Sequence, residues 1–186
     1  MQRKVSNDRG LVASDLGNDD KPLFLESQND TVESQESFDQ WYRDVDGVNL
    51  SKTIVLPLDE VSPGTFVFEN NAFFPMDGEG FGNEGNDHNF YFTTEIHGTF
   101  EYKGGENFTF IGDDDVFVFV NGKLALDLGG VHAAQTATID FDALADDLSI
   151  ETGNVYTLDV FHAERHTSQS NFRIETSIEC LSGGID

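Results

Sequence analysis

Residues 112–132 read GDDDVFVFVNGKLALDLGGVH, three carboxylates running directly into the apolar stretch Val116–Val120. A run that is apolar at every position is the pattern of a strand covered on both faces. Asn121-Gly122 follows it and separates it from the Leu124–Leu128 segment. Asn-Gly between two apolar runs is a strong hairpin signal, because the tight turn needs positive φ at both central residues. The stretch therefore predicts a central strand turning back on an antiparallel neighbour.

The same grammar extends on both sides. From Thr53 onward short segments of period two recur: Phe66 with Phe68, Phe90 with Phe92, Phe100 with Tyr102, and Phe108 with Phe110. Phe172, Ile174 and Ile178 alternate with Arg173, Glu175 and Ser177, as a strand with one wet face requires. Turns fall at Gly104-Gly105, Gly129-Gly130 and Gly153-Asn154. The expected fold is all-β, an antiparallel β-sandwich of about eight to ten strands. One short helix is expected near the N-terminus, capped by Ser37 and carrying Phe38, Trp41, Tyr42 and Val45 before Gly47. Trp41 and Tyr42 read as its packing face rather than as a sugar-stacking surface.

Residues 1–35 read as an extended, polar lead-in that wraps the domain, with Pro22, Leu23 and Phe24 as attachment points. Residues 36–180 form the single domain, and 181–186 a tail. The glycine-rich stretch Asp77–Asn89 reads as a surface loop. With 186 residues, 38% of them hydrophobic and 17 of them Phe, one substantial core is affordable.

Ten basic against 35 acidic residues give a formal charge of -25. Such a surface repels phosphate backbones and anionic headgroups, so neither nucleic acid nor membrane insertion is expected. Cys180 is the only cysteine, which excludes an intrachain disulfide and Cys-based zinc sites. The chain shows neither an apolar run of bilayer length nor the apolar core of a secretory signal, so an exported protein would carry it as an excised, monomeric module of a longer chain.

Asp113, Asp114 and Asp115 are the densest acidic feature. At the entry to a buried strand their mutual repulsion calls for a cation, and hard oxygen donors favour calcium. Successive side chains in a strand point to opposite faces, so Asp113 and Asp114 grip one ion only if the peptide between them is distorted; a cis bond is expected there.

These residues resemble a known family. Gly112–His132, together with Phe161-His162-Ala163-Glu164-Arg165-His166-Thr167, Ser170-Asn171-Phe172, Gln40–Val45 and Phe73-Phe74-Pro75, looks like the fibro-slime subgroup of the anthrax protective-antigen-type domains. The likeness covers about residues 10 to 180. It implies a β-sandwich lectin that holds Ca2+ through two adjacent aspartates joined by a cis peptide, with sugar hydroxyls completing the coordination. Motif on motif, the paired aspartates fall on Asp113 and Asp114. Asp115 stands where the wider family often has a small residue, and is expected to face away. A loop between the last two strands supplies further ligands, here Arg165–Asn171, with Gln169 and Asn171 as the available amides. Ligand contacts are expected from Asp113, Asp114, His132, Arg165, His166, Thr167, Ser168, Gln169 and Ser170. The implied partners are glycans with vicinal hydroxyls on a host or neighbouring cell, and the implied parent is a secreted or cell-surface bacterial adhesin.

Other readings were weighed on the residues themselves. His132, His162 and His166 share no helical face and no Cys assists them, which argues against zinc. Asp127 precedes Leu128–His132, a loop that the resemblance implies lies beside the binding site and shapes it; a plain turn is the equal alternative. Asp77, Glu79, Asn83, Glu84 and Asp87 could hold a second calcium but lack EF-hand order. Asp113 with Glu164 could be a glycosidase pair, yet no spacing defines the required separation, and no nucleophile elbow or phosphate loop is present. The expectation is a non-enzyme. A calcium-dependent peptide-binding module and a structural spacer stand as the alternatives.

Overall fold

The computed structural model describes residues 5–26 and 31–183; parts of the predicted lead-in (1–4 and 27–30) and tail (184–186) lie outside the described residues. The chain builds β1 (Ser6–Asn7), α1 (Gln35–Asp39), β2 (Asp59–Ser62), β3 (Thr65–Asn70), β4 (Phe92–Glu101), β5 (Asn107–Gly112) and β6 (Asp115–Val120). There follow β7 (Lys123–Leu128), β8 (Gly130–Val131), β9 (Gln135–Asp140), α2 (Phe141–Leu148), β10 (Val155–Glu164), β11 (Phe172–Thr176) and β12 (Ser182–Gly183). Two five-stranded antiparallel sheets result, ordered β12-β4-β10-β6-β7 and β2-β3-β11-β5-β9, and β1 pairs with β8 in a small third sheet. The all-β sandwich expected from the alternation is the observed fold.

Every residue of β6 is buried because both faces are covered. Val116, Val118 and Val120 point into the core between the sheets, with Phe100, Phe108, Phe110, Phe172 and Ile174. Phe117 and Phe119 point the other way and meet Leu11, Val12, Phe38, Trp41 and Tyr42. The covering layer is thus the N-terminal segment itself. Without it Phe117, Phe119 and Phe161 would face water, a loss of about 2 kcal/mol per large side chain.

Three details differ from the sequence expectation. First, the helix begins earlier, capped by Ser34, and stops at Asp39. Asn49 takes over beyond it: its side chain accepts from the Val45 N–H and donates to the Gln40 and Arg43 carbonyls, which satisfies backbone groups that a longer helix would have paired. Second, a second helix, α2, follows β9. Asp140 caps it by accepting from Ala143 N–H, and Phe141 and Leu148 bury its inner face. Third, Phe92 and Phe100 belong to one ten-residue strand, β4, and Ser182–Gly183 of the predicted tail pair with its edge.

Candidate functional site

The connection from β5 to β6 passes from one sheet to the other, and so does the connection from β10 to β11. The register places both crossings at the same end of the sandwich, since Ala163 faces Asp115 and Phe172 faces Gly112. Asp113-Asp114 is one crossing and 165–171 the other. Gly112 is required at their contact: a Cβ there would come within 2.3 Å of the Asn171 carbonyl oxygen.

Asp113 and Asp114 are joined by a cis peptide bond, and both are buried, at 3% and 2% exposure. The Asp113 carboxylate accepts from Asn171 N–H and from Asn171 Nδ2, each at 2.7 Å. The Asp114 carboxylate accepts from His132 N–H at 3.2 Å and Arg165 N–H at 3.1 Å. His162, fully buried, donates through Nε2 to the Asp113 carbonyl at 2.8 Å; burial holds its ring below the usual histidine range. Both carboxylates are therefore aimed by backbone amides before any ligand arrives.

A cavity of about 210 Å³ opens over them. Of the residues predicted from sequence, Asp113, Asp114, His132, His166, Ser168 and Gln169 line it. Asn171 stands beside Asp113 through its side-chain amide. Ser170 is buried and donates to the Phe73 carbonyl at 2.8 Å, away from the cavity. Thr167 is not one of the lining residues.

Arg165 needs correction as a ligand contact. Its side chain is fully buried and turned away from the cavity, with Nε and Nη2 donating to the two Asp115 carboxylate oxygens at 2.6 and 2.9 Å. Nη1 donates to the Thr31 carbonyl, and the guanidinium lies 4.9 Å over the Trp41 ring. Strand alternation is the cause: Phe161, Ala163 and Arg165 share the outer face of the sheet, as do Asp115, Phe117 and Phe119. Asp115 accordingly faces away from the cavity and also accepts from Gly130 N–H at 2.7 Å.

The same alternation turns Glu164 inward. It is fully buried, accepts from His166 N–H at 3.0 Å through Oε1, and leaves Oε2 without a hydrogen-bond partner. Burial, and then the Asp114 charge, lift its carboxyl to about 9. Burial, and then the Asp115 charge, lift Asp114 to about 6. In the sequence Glu164 stands out chemically only as half of a glycosidase pair with Asp113. Its place one residue before Arg165, on the opposite parity, was the available signal.

Among the described residues no three His, Cys, Asp or Glu side chains form a metal-holding group by themselves. The polar residues lining the cavity are instead mixed: two carboxylates with His132, His166, Ser168 and the Gln169 amide. The three histidines go separate ways, His132 to the Leu128 and Ala133 carbonyls, His162 to Asp113, and His166 to Ser168. A larger cleft, about 480 Å³, lies between residues 37–52 and 76–95 and contains none of the predicted site residues.

The PA14 domain model matches residues 70–185, from β3 through the paired aspartates to the last strand. The chain belongs to the PA14 domain family. Protein psiQ of Dictyostelium discoideum is 41% identical over 96% of the chain and 19% of its own length. Protein psiD of the same organism is 39% identical over 95% of the chain and 37% of its own length. Protein psiI is 45% identical over 63% of the chain. The chain spans well under half the length of these relatives. No solved structure matches it. PA14 domains are often carbohydrate-binding or adhesion-related modules within larger proteins. Among the described residues no helix is long and apolar enough to cross a membrane.

Proposed function

We propose that this PA14 domain, of the fibro-slime type, is a calcium-dependent carbohydrate-binding module of a larger secreted or cell-surface adhesion protein, and that it performs no catalysis. The observation that supports this best is the pair Asp113 and Asp114, both buried and both lining one small cavity, with the orphaned Oε2 of Glu164 behind them. Buried carboxylates without a cationic partner are costly, and a hard divalent cation offsets that cost. The donor set suits calcium, which takes about six to eight oxygens of mixed type. Asp113 and Asp114 would hold it, with the amide oxygen of Asn171 or Gln169 and carbonyls of the 165–171 loop.

When bound, the ion supplies open positions for two neighbouring hydroxyls of a glycan. The chain's own residues do the rest. Backbone N–H groups of Asn171, His132 and Arg165 fix the carboxylates, and His166, Ser168 and Gln169 border the ligand. A single small site buries little area, so one-site affinity is weak and many copies on a surface give strength through avidity.

Calorimetric titration of chelator-stripped protein with calcium, and then with fucose, glucose and mannose with and without calcium, tests the reading. Sugar heat is expected only with calcium. Asp114→Ala is expected to abolish both binding events, and glycan binding retained in that variant would overturn the proposal. Calcium binding without sugar heat would move the function to peptide binding or to a structural spacer.

A further inference from the structure

The cavity over Asp113 and Asp114 has two unlike walls. One is polar, made by the carboxylates with His166, Ser168 and Gln169; the other is largely aliphatic, made by Val5, Val131 and Ala133 with His132 between the last two in sequence. Val5 is 66% exposed and borders this cavity. Among the described residues no Phe, Tyr or Trp lines the cavity, so these offer no flat platform for stacking a sugar face.

The aliphatic wall is held in place. β1 pairs with β8 in register, Ser6 opposite Val131 and Asn7 opposite Gly130, and Val5 bridges to Val131. Asp8 N–H donates to the Gly129 carbonyl at 2.7 Å, and Gln135 Nε2 donates to Asn7 Oδ1 at 2.6 Å. Gly130 allows this approach: its φ is +108°, and a Cβ there would come within 2.2 Å of the Ser6 carbonyl oxygen. Val5 also lies outside residues 70–185, the part of the chain that matches the family model. The wall is a contribution of this chain's N-terminal segment.

Resting on the calcium-dependent sugar reading, we infer that Val5 and Ala133 select a saccharide bearing a methyl group next to its coordinating hydroxyls, as in a 6-deoxy or an N-acetyl sugar. At about 210 Å³ the cavity is below the roughly 300 Å³ at which drug-sized sites begin, which limits the occupant to one ring. With two hydroxyls drawn to the Asp113 and Asp114 side, a substituent on an adjoining ring carbon extends toward Val5 and Ala133. A methyl there loses apolar surface to the wall, whereas a hydroxymethyl gains less, because its hydroxyl gives up hydration against Val5 and Ala133.

The test compares sugars that differ by this group, titrated in saturating calcium into the wild-type chain and into Val5→Ser. L-fucose against L-galactose reads the 6-deoxy arm, and N-acetylglucosamine against glucose reads the N-acetyl arm. The methyl-bearing member of one pair is expected to bind about four- to fifteenfold more tightly, the worth of one to two buried carbons, and the preferring pair identifies the source of the methyl. Val5→Ser is expected to erase the preference while calcium affinity and the thermal midpoint stay unchanged, since Val5 is exposed. Equal affinities within both pairs, or a preference that survives Val5→Ser, overturn the selection while sugar binding stands. Absence of heat from all four sugars in calcium overturns the sugar-binding reading and this inference with it.

Discussion

Two acidic regions look alike in the sequence and behave as opposites in the fold. Asp113–Asp115 are buried to within 3% of complete, and Glu164 behind them keeps an oxygen without a partner. Asp77–Asp87 also collects carboxylates among glycines, but Asp77 and Asn83 are spent on the loop itself and Glu79 pairs with Lys52. Asp77 accepts from Asn89 N–H at 2.7 Å and pairs with His88 at 2.6 Å; Asn83 accepts from Gly78 N–H at 2.8 Å. His88 in turn stacks on Phe74, ring centroids 4.0 Å apart. The first region is organised toward a cavity and the second toward its own backbone. Acidic density alone does not mark a cation site; burial without a complete set of partners does.

The strongest way to break this contrast is to remove the buried cation Arg165. Arg165 is the sole ion-pair partner of Asp115 among the described residues, with both side chains fully buried. Arg165→Met leaves Asp115 charged and unpaired, and is expected to lower unfolding free energy by about 3–5 kcal/mol in urea titration. The double variant Arg165→Met with Asp115→Leu should regain most of that loss, because no buried charge remains. If the double variant is as unstable as the single one, the packing of the guanidinium on Trp41 and Thr31 outweighs its charge.

A smaller effect sharpens the other side. Asp77→Ala removes two acceptors from an exposed loop and is expected to cost about 1–2 kcal/mol, with calcium titration indistinguishable from wild type. A lost or weakened calcium heat in Asp77→Ala would show that the two regions are functionally linked after all.

How far these regions could be told apart in advance follows from the period of a strand. Val116–Val120 could be recognised as doubly covered, because alternation cannot explain an unbroken apolar run, and the paired aspartates stood out by their place at its entry. The covering layer was harder to see. Leu11 and Val12 are isolated apolar residues in a polar stretch, and only the folded contact with Phe117 and Phe161 gives them meaning. Arg165 misleads for a different reason: its neighbours to Asn171 have the composition of a loop, whereas the outer-face parity of Phe161 and Ala163 continues through it. α2 was passed over although Phe141, Leu144, Ala145 and Leu148 carry helical spacing after Asp140, since eight residues between two strand signals offer little periodicity to count. The apolar wall at Val5 depends on β1 meeting β8 across more than a hundred residues, a pairing with no local signature.

The smallest effect separates partnered from unpartnered acids by pH. His97 sits between Asp159 at 2.8 Å and Glu95 at 3.0 Å, and these bonds, the one to Asp159 foremost, raise it from 6.5 to about 9. The fold thus keeps a proton that the unfolded chain releases near 6.5. Its stabilisation is complete below that pH and is lost as pH climbs through 9. Glu164, lifted from 4.5 to about 9, acts with the same sign, since the folded carboxyl stays protonated where the unfolded one has ionised. Urea midpoints of calcium-free protein should therefore fall between pH 6.5 and 9. His97→Gln should remove about 1 kcal/mol of that fall, an amount already reduced for the solvent around a ring that is 36% exposed. Glu164→Gln, or saturating calcium, should remove the remainder, because a nearby divalent cation makes the ionised carboxylate the favoured form. A slope that calcium leaves untouched would mean that Glu164 is insulated from the site, and the contrast between the two acidic regions would then rest on Asp113 and Asp114 alone.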